Sequence, residues 1–313
     1  MGLEVVPFSD EHLDDAAALL ADAHARHRAV EPLLGEVADY RVQVEEEWRR
    51  EGASGAFARR DDVAAGYLVG APATNDNRGG MRIFSGFAGQ ATGEPELARD
   101  LFAAAAERWH DEGQTRFAVV VPSHDTALVD AWFRVGFGLQ FAYAVRETEA
   151  ADGVDAGVTI RPGTPDDLGD LARFDRVLWE LQTRSPSFSN LEVPGDDAFR
   201  DDWADTWDEP DTFWSFMAER DGAVVGEALL YRRPAGDLRV PERNVDLAHA
   251  ATDPAVRGSG VGLALAAHVL RWAHEHGFRS MTTDWRSVNL LASRFWPRRG
   301  WRTTHLRLYR AVP

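Results

Sequence analysis

Apolar positions in this chain follow two rhythms, one with helical and one with strand spacing, and the same succession of them occurs twice. Near the start, the extended run Val5-Val6-Pro7-Phe8 leads to Ser9, then to Leu13, Ala16, Ala17 and Leu20 on one helical face with Ser9 as N-cap. In the second half Val158-Thr159-Ile160-Arg161 leads to Thr164 as N-cap, Pro165 at the first helical position and Asp167 near N3, followed by Leu168, Leu171 and Phe174. A strand pair comes next in both halves. Gly55 to Arg59 turns at Asp61-Asp62 into Val63 to Val69, and Phe213 to Glu219 turns at Asp221-Gly222 into Ala223 to Tyr231. A third match sets Ala131-Trp132-Phe133-Arg134-Val135-Gly136-Phe137 against Phe295-Trp296-Pro297-Arg298-Arg299-Gly300-Trp301, which places Asp125 opposite Asn289.

Three matches in the same order predict an internal duplication. The expected architecture is a mixed α/β (α+β) fold in two domains, residues 1–151 and 152–313, joined through the acidic, small-residue stretch from Glu147 to Gly157. A length of 313 residues suits two such domains.

The second copy alone carries a glycine-rich loop, Arg257-Gly258-Ser259-Gly260-Val261-Gly262. It follows the strand-like run Asn244 to Thr252 and opens a helix with Leu263, Ala266, Ala267 and Leu270 on one face. Strand, glycine loop and helix in that order predict an anion cradle, because glycine lets backbone N–H groups turn toward an anion and the helix N-terminus adds partial positive charge. No Lys-Ser/Thr follows the last glycine and the spacing is not that of a dinucleotide fingerprint, so two common phosphate loops are set aside. The duplication offset sets Gly93-Glu94-Pro95-Glu96-Leu97-Ala98 against this loop. Two carboxylates and a proline there predict that the first copy has lost the cradle and is a structural domain.

Composition narrows the chemistry. The chain has no cysteine, which excludes disulfides, thiolate metal sites and a cysteine nucleophile. A formal charge of −17 counts against a nucleic-acid partner. No apolar run approaches membrane-spanning length and no secretory leader is visible, so a membrane partner is not expected and a cytoplasmic location is. His24 and His27, like His274 and His276, lack a third ligand, so no metal is expected. Nothing fixes the oligomeric state.

From about Val158 to the end the sequence resembles a GNAT-superfamily N-acetyltransferase domain, and the first half resembles a degenerate copy; the tandem architecture is similar to that of mycothiol synthase. The family's loop pattern, Arg/Gln-x-x-Gly-x-Gly/Ala, is met by Arg257, Gly260 and Gly262. The resemblance implies mixed, mostly antiparallel sheets flanked by helices with a splayed central strand pair, and acetyl-CoA or another acyl-CoA as donor. It also implies transfer of an acetyl group to a primary amine, as on a small molecule, by direct attack on the thioester. Arg257, Gly258, Ser259, Gly260, Val261 and Gly262 would hold the diphosphate, Ala250, Ala251 and Thr252 the pantetheine, and Asn289 would contact the cofactor or cap its helix. Asp246 falls where some members carry a glutamate base and is the first candidate for that role. Its neighbour His249 is expected on the opposite strand face, as a packed or surface histidine. Trp296 stands where the family's tyrosine acid is usual, so an acyl-CoA-binding sensor without turnover is the alternative. For the acceptor, Trp203, Trp207 and Trp214 read as core or as a pocket floor, and Asp284 and Arg286 as polar groups near the ligand end. Arg294 and Arg298 face either solvent or the cofactor's outer phosphate.

Overall fold

Both strand pairs turn through left-handed backbone. Asp61 and Asp62 have φ of 50° and 65°, and Asp221 and Gly222 have φ of 52° and 77°, the two-residue geometry whose twist matches that of the flanking strands. The computed structural model describes residues 2–74, 81–150, 153–190, 192–234, 236 and 238–313. The chain divides into two units. The first runs through β1 (Leu3–Pro7), α1 (Leu13–Val30), α2 (Tyr40–Trp48), β2 (Ser54–Arg60), β3 (Val63–Ala73), β4 (Arg82–Ser85), β5 (Gln90–Thr92), α3 (Leu97–Asp111), β6 (Arg116–Pro122), α4 (Thr126–Arg134) and into β7 (Gly138–Glu147). The second holds β8 (Thr159–Pro162), α5 (Leu168–Thr183), α6 (Asp196–Ala204), β9 (Phe213–Arg220), β10 (Ala223–Tyr231), β11 (Asn244–Thr252), α7 (Val261–Glu275), β12 (Ser280–Arg286) and α8 (Ala292–Phe295). A last strand, β13 (Arg302–Ala311), completes the chain.

The units are not two continuous stretches. The first takes in residues 1–143 together with 236–240 and 303–313, and the second takes 144–235 and 241–302. The boundary expected near residue 152 lies outside the described residues. Before it, Thr148 already belongs to the second unit: its amide donates to the Arg279 carbonyl at 3.1 Å and its hydroxyl to the Phe278 carbonyl at 2.6 Å. After it, β13 pairs antiparallel with β6 of the first unit, from His305 opposite Pro122 to Ala311 opposite Arg116.

In the first unit β1, β2, β3, β4 and β6 lie in that order, antiparallel except for the parallel β4–β6 pair. Alternation along β2 and β3 sends Phe57, Tyr67 and Val69 to the face covered by α1 and α2, and Ala56, Ala58 and Leu68 to the face covered by α3 and α4. The second unit repeats the plan, with β8 to β11 antiparallel and β11 parallel to β12. Met217 packs with Leu171 and Trp203 on one face, and Phe216 meets Trp272 of α7 on the other.

The caps repeat as well. Ser9 accompanies the short turn before α1, its amide donating to His12 Nδ1 at 3.0 Å, while Thr164 and Asp167 form a capping box before α5. Arg161 donates two hydrogen bonds of 2.7 Å to Asp167 and thereby holds that carboxyl down at about 2. Asp125 accepts from the Leu128 amide at 2.9 Å, and Asn289 accepts from the Leu291 and Ala292 amides at 3.1 and 3.2 Å. Gly136 (φ 84°) and Gly300 (φ 82°) end the following helical turns in the same left-handed conformation.

Histidines fill the interior of the first unit. His27 stacks on His124 at 4.6 Å and meets His305 edge-on at 4.7 Å, with His24 on the next turn of α1. Burial, then His124 and His24, push His27 down to about 3, and burial holds His305 well below its usual range. Between about pH 6.5 and 3 the unfolded chain therefore binds protons that the folded unit does not, so stability is lost as pH falls through that window. Thermal unfolding should show a midpoint that drops steadily below pH 6.5, and His27→Phe should flatten that dependence.

Candidate functional site

The loop after β11 has the backbone that its glycines allow. Gly258 and Gly260 have φ of 82° and 93°, left-handed values that other residues adopt only at a cost, while Gly262 already lies in the first turn of α7. The first helical hydrogen bond runs from the Ala264 amide to the Gly260 carbonyl at 2.9 Å, so the amides of Val261, Gly262 and Leu263 stand at the open N-terminus of α7. Arg257 is exposed on the loop, and a second guanidinium approaches it: Arg220 donates to Ser259 Oγ at 3.3 Å.

Next to the loop, β11 parts from its neighbour. Its parallel pairing with β12 runs from Asn244–Ser280 to Leu247–Thr283, while its antiparallel pairing with β10 continues to Thr252 opposite Gly226. The backbone from Ala248 to Thr252 is therefore open on the β12 side. A cavity of about 490 Å³ lies here, lined by Ala250, Ala251 and Thr252, by the loop and first turn of α7, and by Asn289, Phe295 and Trp296. Helix α5 closes it with Val177, Leu178 and Leu181.

Charge in this cavity is sparse. Among the described residues of the lining, Glu227 on β10 supplies the one carboxylate, fully buried, and Arg257 and Arg299 supply guanidiniums. Arg299 lies over the Phe295 ring at 3.6 Å and donates to the Phe295 carbonyl; burial, with Arg298 beside it, pushes its guanidinium down. Glu227 Oε1 lies 2.6 Å from His249 Nδ1, and His249 Nε2 lies 2.9 Å from Asp175 Oδ1. Burial would push the imidazole down, but Glu227 and Asp175 together hold it well above its usual value.

The corresponding place in the first unit is nearly filled. A cavity of about 30 Å³ is left between Thr92, Asp125, Leu128 and the histidines. On its loop Glu94 is held by Arg60 at 2.8 and 2.9 Å, and Glu96 pairs with Arg99 and Arg134.

Residues 176–301 match the model of the acetyltransferase (GNAT) family. Over that stretch the chain carries a GNAT-family domain. Solved structures extend the likeness of fold to the whole chain. A GCN5-related N-acetyltransferase from Sphaerobacter thermophilus superposes with a TM-score of 0.61 at 13% identity, over 99% of this chain and 95% of that one. A tandem GNAT protein of clavulanic acid biosynthesis gives 0.54 at 16% identity, over 100% and 99% of the two chains. The glucosamine N-acetyltransferase region of a fungal multi-domain β-N-acetylglucosaminidase gives 0.59 at 16% identity, over 98% of this chain and 38% of that one. No curated protein matches the chain by sequence.

Within the GNAT domain the structure gathers Ala250, Ala251, Thr252, Arg257, Gly258, Gly260, Val261, Gly262 and Asn289 around one cavity. Ser259 lies on the loop but off the lining, its hydroxyl turned to the Val256 carbonyl at 2.7 Å. Asp246 is also off the lining. Arg233 donates to its Oδ2 at 2.8 Å and Thr282 to its Oδ1 at 2.6 Å. His249 departs from strict alternation: β11 carries an irregularity in which Leu229 faces His249 while Leu230 faces Leu247. The extra residue, Ala248, brings His249 round to the face of Asp246, where it meets Glu227. Arg286 is buried and bonded to Asn190 at 3.0 Å, Asp284 is exposed, and Tyr309 belongs to the first unit's sheet. Trp203 is core, and Trp214 packs on Trp272. Glu227 stands in no motif and Arg299 enters only as part of the repeated segment Phe295 to Trp301, without a role; an acidic residue in an otherwise apolar strand, Val224 to Leu230, was the available signal for Glu227.

Left-handed backbone at Gly260, and a Cβ there 3.3 Å from that of Ala156, predict that Gly260→Ala costs about 1–2 kcal/mol in denaturant unfolding. Gly262→Ala, with its nearest new neighbour at 3.7 Å, should stay within about 0.5 kcal/mol of the parent.

Proposed function

We propose that the GNAT domain transfers an acetyl group from acetyl-CoA to the primary amine of a small molecule, by direct attack of the amine on the thioester. The observation that carries this reading is one continuous cavity joining the glycine loop to the open backbone of β11. Diphosphate on the loop would meet the α7 amides and Arg257, a helix N-terminus with a formal charge beside it. Pantetheine, an amide-bearing chain, matches the peptide groups between Ala248 and Thr252 that face the open β12 side. An N–H from that stretch directed at the thioester oxygen would stabilise the negative charge that develops on attack. Asn289 combines two roles, capping the turn that leads to α8 and lining the cavity.

The first unit, with its small histidine-filled cavity and acid-bearing loop, is assigned a structural role. Among the described residues no helix is long and apolar enough to cross a membrane, and we take the compartment to be the cytoplasm. One observation favours a second reading. Trp296 lines the cavity, and an indole N–H donates hydrogen bonds without releasing a proton, which suits an acyl-CoA sensor.

Calorimetry with acetyl-CoA and with CoA tests the donor, and thiol release over a panel of primary amines tests turnover. Arg257→Glu should weaken CoA binding on the order of tenfold or more, as expected for reversing a charge-assisted contact. Gly93→Arg should create no second site. Binding without thiol release from any amine favours the sensor, and no binding of either ligand overturns both readings.

A further inference from the structure

Glu227 is a buried carboxylate with one oxygen unpartnered among the described residues. Its side chain is fully buried, it stands in register with Ala251 across β10 and β11, and it lines the cavity. Oε1 is committed to His249 at 2.6 Å, but Oε2 has no hydrogen-bond partner among the described residues. A buried, unpaired carboxylate oxygen is costly unless something arrives to meet it.

Behind it stands a relay. His249 bridges Glu227 and Asp175, Asp175 Oδ2 accepts the Trp203 indole N–H at 2.6 Å, and the Trp203 ring meets His249 edge-on at 6.0 Å. Two carboxylates around one imidazolium leave one net negative charge, carried in part by a residue of the cavity lining. On this face α5, which carries Asp175, adds only the apolar Val177, Leu178 and Leu181 to the lining. A charge in such a setting selects a compact cation that can donate a hydrogen bond.

We propose that Glu227 is the proton acceptor of the transfer, and that the acceptor substrate enters as a primary ammonium ion whose N–H is received by Glu227 Oε2. His249, Asp175 and Trp203 are positioning residues that hold the carboxylate in place. The inference rests on the acetyl-transfer reading above. One ammonium proton passes to Oε2, and the freed nitrogen pair forms the bond to the acetyl carbon. The C–S bond breaks and its pair leaves with sulfur; the second proton lost as the amide forms balances that sulfur as a thiol. Glu227 then returns its proton to solvent, so that ammonium and acetyl thioester give amide, thiol and one proton. Asp246 is engaged otherwise, with both oxygens held by Arg233 and Thr282.

The test measures thiol release from acetyl-CoA against an amino sugar, a polyamine, an arylalkylamine and a lysine-containing peptide, as a function of pH. Glu227→Gln should lower kcat by about 100-fold or more and abolish the acid limb of the pH profile, while acetyl-CoA affinity by calorimetry stays within about twofold. His249→Gln should displace that limb with acetyl-CoA affinity kept. Should Glu227→Gln not fold, Glu227→Asp replaces it, with reduced kcat and a retained acid limb expected and unchanged kcat overturning the assignment. If wild type turns over an amine and Glu227→Gln matches it, or if Asp246→Asn alone removes the acid limb, the assignment fails and acetyl transfer stands. Wild type that binds acetyl-CoA yet releases no thiol with any of the amines overturns both.

Discussion

Two strands that stop pairing organise the second unit. β11 and β12 run together from Asn244–Ser280 to Leu247–Thr283 and then separate, which leaves peptide groups of β11 without the strand partner that a sheet interior normally supplies. Unpaired backbone in a protein interior is expensive, so such an opening persists only where the surroundings hold it and where something polar can enter. Its frame is held by the antiparallel β9–β10–β11 ladder on one side and by α7 packed across the sheet on the other. The glycine loop, the α7 N-terminus and Asn289 all border that one opening.

The two copies share their backbone devices and differ in what fills them. Both have a left-handed two-residue turn, an Asx cap at the fourth helix, and a left-handed glycine that closes it. Yet the opening is about 490 Å³ in one and about 30 Å³ in the other. In the first unit imidazole rings occupy the space and arginines neutralise the loop carboxylates. In the second, Glu227 Oε2 has no hydrogen-bond partner among the described residues and Arg257 is exposed on the loop.

Much of this was legible from residue order alone. Helix faces, N-caps, hairpin turns and the glycine loop are local, set by residues within a few positions of one another, and a repeat offset carried them between the copies. The residues that line the loop end of the cavity follow the same logic, since a strand, a loop and a helix start are contiguous in sequence. What was not legible is non-local. One inserted residue, Ala248, reverses the parity of β11 and moves His249 to the other face, and nothing in its side chain announces a bulge. Glu227 gains its character from being buried beside a histidine 22 positions later. The exchange of β13 into the first unit's sheet depends on pairing between segments far apart, which a contiguous cut near residue 152 does not represent.

That exchange bears on how the chain can be made. The β6 edge waits for β13, and the Ser123–Thr303 bond beside that pairing already spans 180 residues, a separation that raises the entropic hurdle and slows non-local strand formation. During synthesis the first unit emerges with that flank bare, a ready template for misplaced pairing, until the second has been translated in full. The tandem is thus a single biosynthetic commitment: cutting the gene at its point of internal repetition would strand an unfinished sheet.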